Sequence, residues 1–199
     1  MDSILSVGKH VSMLCKSLGF QIRCISGVRK FLDEDSLRTL IAALFTSRLD
    51  YANALLANAP RYEIDRLQRL QNSAARLITR SSRYDHITPV LFGLHWLPVA
   101  FRVKFKVALM TFKAINRLAP PYIAELIQLK RPVRNLRSAS DATMLQTVRT
   151  RTVNFGDRRF SVAAPTIWNA LRTNIRSSPD VKVFKRLLKS HYFMIACDL

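Results

Sequence analysis

The sequence has little glycine, little acid and almost no cysteine. Five glycines in 199 residues leave few positions for tight turns, which disfavours a many-stranded β fold. The three cysteines, Cys15, Cys24 and Cys197, form neither a disulfide framework nor a metal-ligand spacing. An odd count without a pairing pattern suits a reducing compartment. No apolar run reaches the roughly 20 residues that span a bilayer, and no basic segment followed by an apolar one opens the chain. The expectation is a soluble, intracellular protein, nuclear or cytoplasmic, with no membrane partner. There is no phosphate-cradling glycine loop, and His10, His86, His95 and His191 lack Cys or carboxylate neighbours at ligand spacing. No pair of aspartates stands on a strand-turn-strand pattern, so two-metal nucleotidyl transfer has no residues to carry it. Catalytic residues, metal ligands and cofactors are therefore expected to be none, with no small-molecule substrate.

What is abundant is positive charge. Thirty-two Lys and Arg face 13 Asp and Glu, a net charge of +19. The excess is uneven. Residues 1–60 carry seven basic and five acidic groups, residues 61–130 twelve and four, and residues 131–199 thirteen and four. The basic character thus begins near Arg61, which divides the chain into a region 1–60 and a basic region 61–199. Such a field attracts polyanions, nucleic acid first. Arg outnumbers Lys, and its planar fork suits phosphate. Apolar residues make up 49% of the chain, enough for a core.

The periodicity predicts a mainly α, multi-helix bundle with a short irregular or β-hairpin segment near 140–160. Ile4, Leu5, Val11, Leu14, Leu18, Ile22, Ile25 and Val28 recur near every 3.6 residues and predict one helix over 4–28. Asp33-Glu34-Asp35-Ser36 reads as the capped start of a second, which could continue to Leu56 and must stop before Pro60. Three adjacent carboxylates could instead hold a metal, but capping accounts for them fully. Over 62–80, Ile64, Leu67, Leu70, Ala74, Leu77 and Ile78 share one arc of about 140°, and Arg66, Arg69, Arg76 and Arg80 another of about 80°. A short turn is predicted around 88–94 with Pro89 at its first position. Pro98 then restarts a helix to about Leu118, whose Arg102, Lys106, Lys113 and Arg117 lie within about 60°. A short helix is expected from Pro120-Pro121 through Leu129, a hairpin pairing 144–148 with 152–155, and a helix near 165–171. The last helix, 179–196, places Lys182, Lys185, Arg186 and Lys189 opposite Phe184, Leu187, Leu188 and His191.

These basic stripes are the candidate nucleic-acid-binding residues: Arg66, Arg69, Arg76, Arg80, Arg102, Lys106, Lys113, Arg117, Lys182, Lys185, Arg186 and Lys189. Tyr84, Tyr122 and Trp168 look exposed and suit base stacking. The bland alternative for each stripe is a solvated helix face. His95, in Leu94-His95-Trp96-Leu97-Pro98, reads as a core histidine rather than a base. The pattern suits contact with an RNA or DNA backbone more than sequence readout. The competing reading is a helical structural or protein-interaction module, marked by an exposed apolar patch near 1–60. An active enzyme is the least supported reading.

A series of motifs also resembles a known family. Thr46-Ser47-Arg48-Leu49-Asp50-Tyr51 with Asn53-Ala54-Leu55-Leu56 is followed by Leu67-Gln68-Arg69-Leu70-Gln71-Asn72-Ser73-Ala74-Ala75-Arg76-Leu77-Ile78. Asp85-His86-Ile87-Thr88-Pro89, His95-Trp96-Leu97-Pro98-Val99, Ala119-Pro120-Pro121-Tyr122, Phe155-Gly156-Asp157-Arg158-Arg159-Phe160 and Ile167-Trp168-Asn169-Ala170-Leu171 continue the order. The series covers nearly the whole chain. It resembles the thumb and post-thumb region of LINE-type, non-LTR retrotransposon reverse transcriptases of the jockey-like and chicken-repeat classes. The sequence departs from that pattern at Ala52, where the family often carries Cys, and at Arg172, where Pro often follows the leucine. The resemblance implies a thumb-like helical part over 1–60 and a C-terminal extension that hold template RNA or primer–template. It also implies an RNA-directed DNA polymerase whose catalytic aspartates and endonuclease lie upstream. The polymerase domain would then be a second partner, and this chain a non-catalytic remnant.

Overall fold

Hydrophobic spacing decides most of the helices in the computed structural model, which describes residues 7–130, 143–148 and 156–197. Helix α1 (Val7–Val28) buries Val11, Leu18 and Ile25, one residue every two turns on a single side. Asp33 caps α2 (Glu34–Ile41), its carboxylate accepting from the Ser36 N–H at 3.2 Å. Hydrogen bonds from Ser36 hold the Asp33 carboxyl below its ordinary range. A π-helical turn (Ala42–Thr46) and α3 (Ser47–Asp50) follow.

The expected continuation of a helix to Leu56 is corrected. Tyr51 is extended, Ala52 is left-handed at φ 52°, and a 3₁₀ turn occupies Asn53–Leu56. The Asp50 carboxylate accepts from Asn53 Nδ2 at 3.2 Å, a local side-chain bond of the kind that competes with continued helix. Helix α4 (Arg61–Thr79) buries Leu67, Ala74, Ala75 and Ile78 and packs on α1. Arg29 caps its far end, donating from Nε to the Leu77 carbonyl at 2.5 Å, where orphan carbonyls need donors.

Packing divides the chain into two units, Met1–Arg102 with Ile195–Leu199, and Val103–Met194. The step in charge near Arg61 falls inside the first. There α5 (Ile87–Gly93) begins earlier than expected, which makes Pro89 its third residue, still within the turn where a missing N–H loses nothing. Its end corrects the reading of His95, which is exposed and left-handed at φ 54°. The His95 N–H bonds the Phe92 carbonyl at 2.9 Å and the Trp96 N–H bonds Leu91 at 2.9 Å. This is a Schellman stop, a position that normally takes glycine. Helix α6 (Val99–Ile115) ends the same way, with Arg117 at φ 57° and Leu118 bonding back to Lys113 at 2.7 Å. In a chain with five glycines, His and Arg fill conformations that cost an L-residue about 1–2 kcal/mol.

The second unit is organised by aromatics. Phe112 of α6, Trp168 of α8 (Phe160–Asn169) and Phe184 of α10 (Val181–Cys197) form one cluster, with centroids 4.3–6.4 Å apart. Trp168 is therefore core, not an exposed stacking residue, and its Nε1 donates to the Thr143 carbonyl at 2.7 Å. Helix α8 starts five residues before the expected Pro165, which lies buried inside it. Burial of Ala163, Ala164 and Trp168 on the same element offsets the one backbone bond that Pro removes. The helix expected from Pro120 through Leu129 is only α7 (Pro121–Ala124). The chain beyond it pairs antiparallel at Leu129 and Leu145, Lys130 N–H to Met144 at 2.9 Å and Gln146 N–H to Gln128 at 2.8 Å. Residues 144–146 thus pair with 128–130, while the expected partner 152–155 lies outside the described residues. A short α9 (Thr173–Arg176) that the sequence reading did not foresee links α8 to α10. Among the described residues there is no named strand, and the fold is mainly α.

Candidate nucleic-acid interface

The twelve candidate cations fall into two groups once their neighbours are known. Three are held by the chain itself. Arg66 Nη1 lies 2.9 Å from the buried Glu63 carboxylate and donates to Ser12 Oγ at 3.2 Å. Arg76 donates from Nε to the Ser82 carbonyl at 3.0 Å and from Nη2 to the Asp85 carbonyl at 3.1 Å. Arg102, 14% exposed, pairs with Asp50 at 2.6 Å, donates to the Leu97 carbonyl at 3.0 Å, and lies 6.0 Å from the Trp96 ring centre.

Eight of the other nine are exposed. Arg69 and Arg80 are exposed on or just beyond α4, and Lys106 and Arg117 on or just beyond α6, while Lys113 is half-buried. On α10, Lys182, Lys185, Arg186 and Lys189 are all exposed, within about 100° of arc at the helical pitch. None of these four has an ion pair among the described residues, and Lys189 lies 5.7 Å from the Phe193 ring centre. The opposite face of α10 buries Phe184, Leu188 and Tyr192. There burial and Arg172 push the His191 pKa down, and burial pushes the Tyr192 hydroxyl up. Within the second unit, a groove of about 1160 Å³ has Arg117 and Lys130 among its lining residues.

The motif residues turn out to tie the fold together. Gln68 Oε1 accepts from the Val99 N–H at 2.8 Å, and the fully buried Gln71 donates to the Leu97 carbonyl at 2.9 Å. These bonds pin Leu97-Pro98-Val99 against α4. Asp50 reaches the same segment through Arg102. In the second unit Asn169 brackets Leu145, accepting from its N–H at 2.9 Å and donating to its carbonyl at 2.8 Å. Sequence reading missed these clamps. Gln71 was the available signal, since it falls between Leu67, Ala74 and Ile78 on the apolar face.

No family model, curated protein or solved structure matches this chain. The family likeness rests on the motif residues alone. Among the described residues, no three His, Cys, Asp or Glu side chains gather as metal ligands. No described helix is long and apolar enough to cross a membrane.

Proposed function

We propose that this chain is a non-catalytic remnant of a retrotransposon reverse transcriptase that binds RNA or primer–template through the backbone. The observation that carries the reading is the face of α10. Lys182, Lys185, Arg186 and Lys189 are exposed together with no ion pair among the described residues. Arg69, Arg80, Lys106, Lys113 and Arg117 add to it. Arg66, Arg76 and Arg102 are structural instead, because carboxylate and carbonyl partners within the chain already hold them. Phosphate contact releases counterions, so log affinity falls with log salt by about 0.7–0.9 for each phosphate neutralised. Titrating the chain with single-stranded RNA and with an RNA–DNA duplex across salt tests the reading. A steep negative slope supports it, and a flat or absent response overturns it.

A second reading, a module that packs against another protein domain such as the polymerase, is favoured by one observation. On α1 and just after it, Met13, Phe20 and Phe31 are 67%, 61% and 76% exposed. Met13, Phe20 and Cys24 fall within about 40° on the helix wheel. An apolar face of this kind on an isolated chain marks a contact surface. Met13→Gln with Phe20→Gln should lower dye binding to exposed apolar surface and leave the salt slope unchanged. Loss of the slope in that variant would count against separate faces.

A further inference from the structure

The segment joining α4 to α5 has the geometry of a built turn. Five hydrogen bonds hold it. The Asp85 carboxylate accepts from the Ser82 N–H at 2.7 Å, the Asp85 N–H bonds the Ser82 carbonyl at 3.3 Å, and the Tyr84 N–H bonds Ser82 Oγ at 3.3 Å. Arg76 fastens both ends from the helix, at the Ser82 and Asp85 carbonyls. A turn fixed at both ends by one guanidinium loses little further backbone freedom when a ligand binds.

What this turn presents is an aromatic ring that the fold does not use. Tyr84 is 84% exposed, the most exposed large apolar or aromatic side chain among the described residues. The Arg83 guanidinium carbon lies 5.2 Å from its ring centre, a cation–π distance. Arg80, exposed and left-handed at φ 57°, stands at the start of the same connector. The ring, its guanidinium neighbour and a second guanidinium four residues back are the parts that hold one unpaired base and its flanking phosphates. The base would stack on the ring, and the cations would meet the backbone. A base inside a duplex has both faces covered and offers no surface to such a ring.

We infer that the Arg76-braced turn 82–85 is a stacking platform for an unpaired nucleotide of single-stranded nucleic acid, with Tyr84 as the stacking residue. Arg80 and Arg83 are its phosphate contacts, and Arg76 is a positioning residue. The inference rests on the nucleic-acid reading above and narrows it from any polyanion to an accessible base. It uses cations of the first unit only, so it does not depend on α10.

The test is fluorescence anisotropy of the full chain with two labelled probes, a single-stranded oligonucleotide of roughly a dozen nucleotides and a duplex of the same sequence. Tyr84→Ala removes the ring from an exposed site, and an unchanged urea midpoint shows that the fold is kept. The expected result is a loss of roughly 5- to 150-fold in single-strand affinity, with duplex affinity unchanged and Tyr84→Phe equal to the parent. Equal single-strand affinity in Tyr84→Ala overturns the platform and leaves polyanion binding standing. An equal loss on both probes also overturns it, since stacking cannot act on a closed duplex. If the parent binds neither probe, the general reading fails and this one with it.

Discussion

Helix α4 with its C-cap Arg80, and helix α10, carry four candidate cations each and differ in what the fold does with them. On α4 (Arg61–Thr79), Arg66 is paired with Glu63 and Arg76 braces the turn at Ser82 and Asp85. On α10 (Val181–Cys197) the four cations all face solvent. The difference follows from acceptors within reach. Helix α4 contains Glu63 and Asp65 and leads into a polar connector, whereas α10 contains no acid along its length. A basic stripe is available to a phosphate chain only where its own fold supplies no competing oxygen.

The sharpest way to break this comparison is to neutralise each set. Changing Lys182, Lys185, Arg186 and Lys189 to Gln should lower the salt slope of log affinity by about 3, the sum of four phosphate contacts. Changing Arg66, Arg76 and Arg102 to Gln should alter the slope little and lower the urea midpoint instead. If the set of Arg66, Arg76 and Arg102 moved the slope as much as the α10 set, the distinction between structural and free cations would fail.

The next effect in size is the single change Arg102→Ala. It removes the pair with Asp50, the bond to the Leu97 carbonyl and the contact over Trp96. Asp50 is 41% exposed on its side chain, so water takes over part of its solvation and the loss should be about 2 kcal/mol of stability, less than for a fully buried pair. Equilibrium urea unfolding measures it, and a change below about 0.5 kcal/mol would make Arg102 an ordinary surface cation. Smaller again is Arg117→Gly. Glycine relieves the left-handed backbone at φ 57° and should raise stability by roughly 1 kcal/mol, while the lost cation lowers the salt slope by about 0.7–0.9. Opposite signs on the two readouts identify a residue that serves both the helix stop and the surface.

These contrasts also mark how far the sequence could be read. The mainly α character was legible because Val11, Leu18 and Ile25, and likewise Leu67, Ala74 and Ile78, repeat at helical spacing. The Asp33 cap was legible because a short acceptor before an apolar run has one local use. Long-range choices were not. Nothing near Trp168 in the sequence announces Phe112 and Phe184, so an aromatic read as exposed became the centre of a core. His95 looked buried among Leu94, Trp96 and Leu97, but a helix stop needed a left-handed residue and glycine was scarce. The candidate cations were found by spacing, yet Asp50 lies 52 positions from Arg102. No periodicity carries information over that distance.

The smallest predicted effect separates the two faces of α10. Binding through its exposed Lys and Arg should be flat between pH 5 and 7. The other face carries His191, whose pKa is depressed below the ordinary 6.5, by burial first and by Arg172 second. A depressed histidine means that the unfolded chain takes up its proton more readily than the folded one. Its contribution to stability is therefore complete above about pH 6.5 and declines as the pH falls below that value. The parent should lose a little stability between pH 7 and 5, measured by urea midpoints, and His191→Gln should flatten that part of the profile. An identical profile in the variant would assign the acid sensitivity to other groups. A pH-dependent salt slope in the parent would mean that the two faces of the helix are coupled after all.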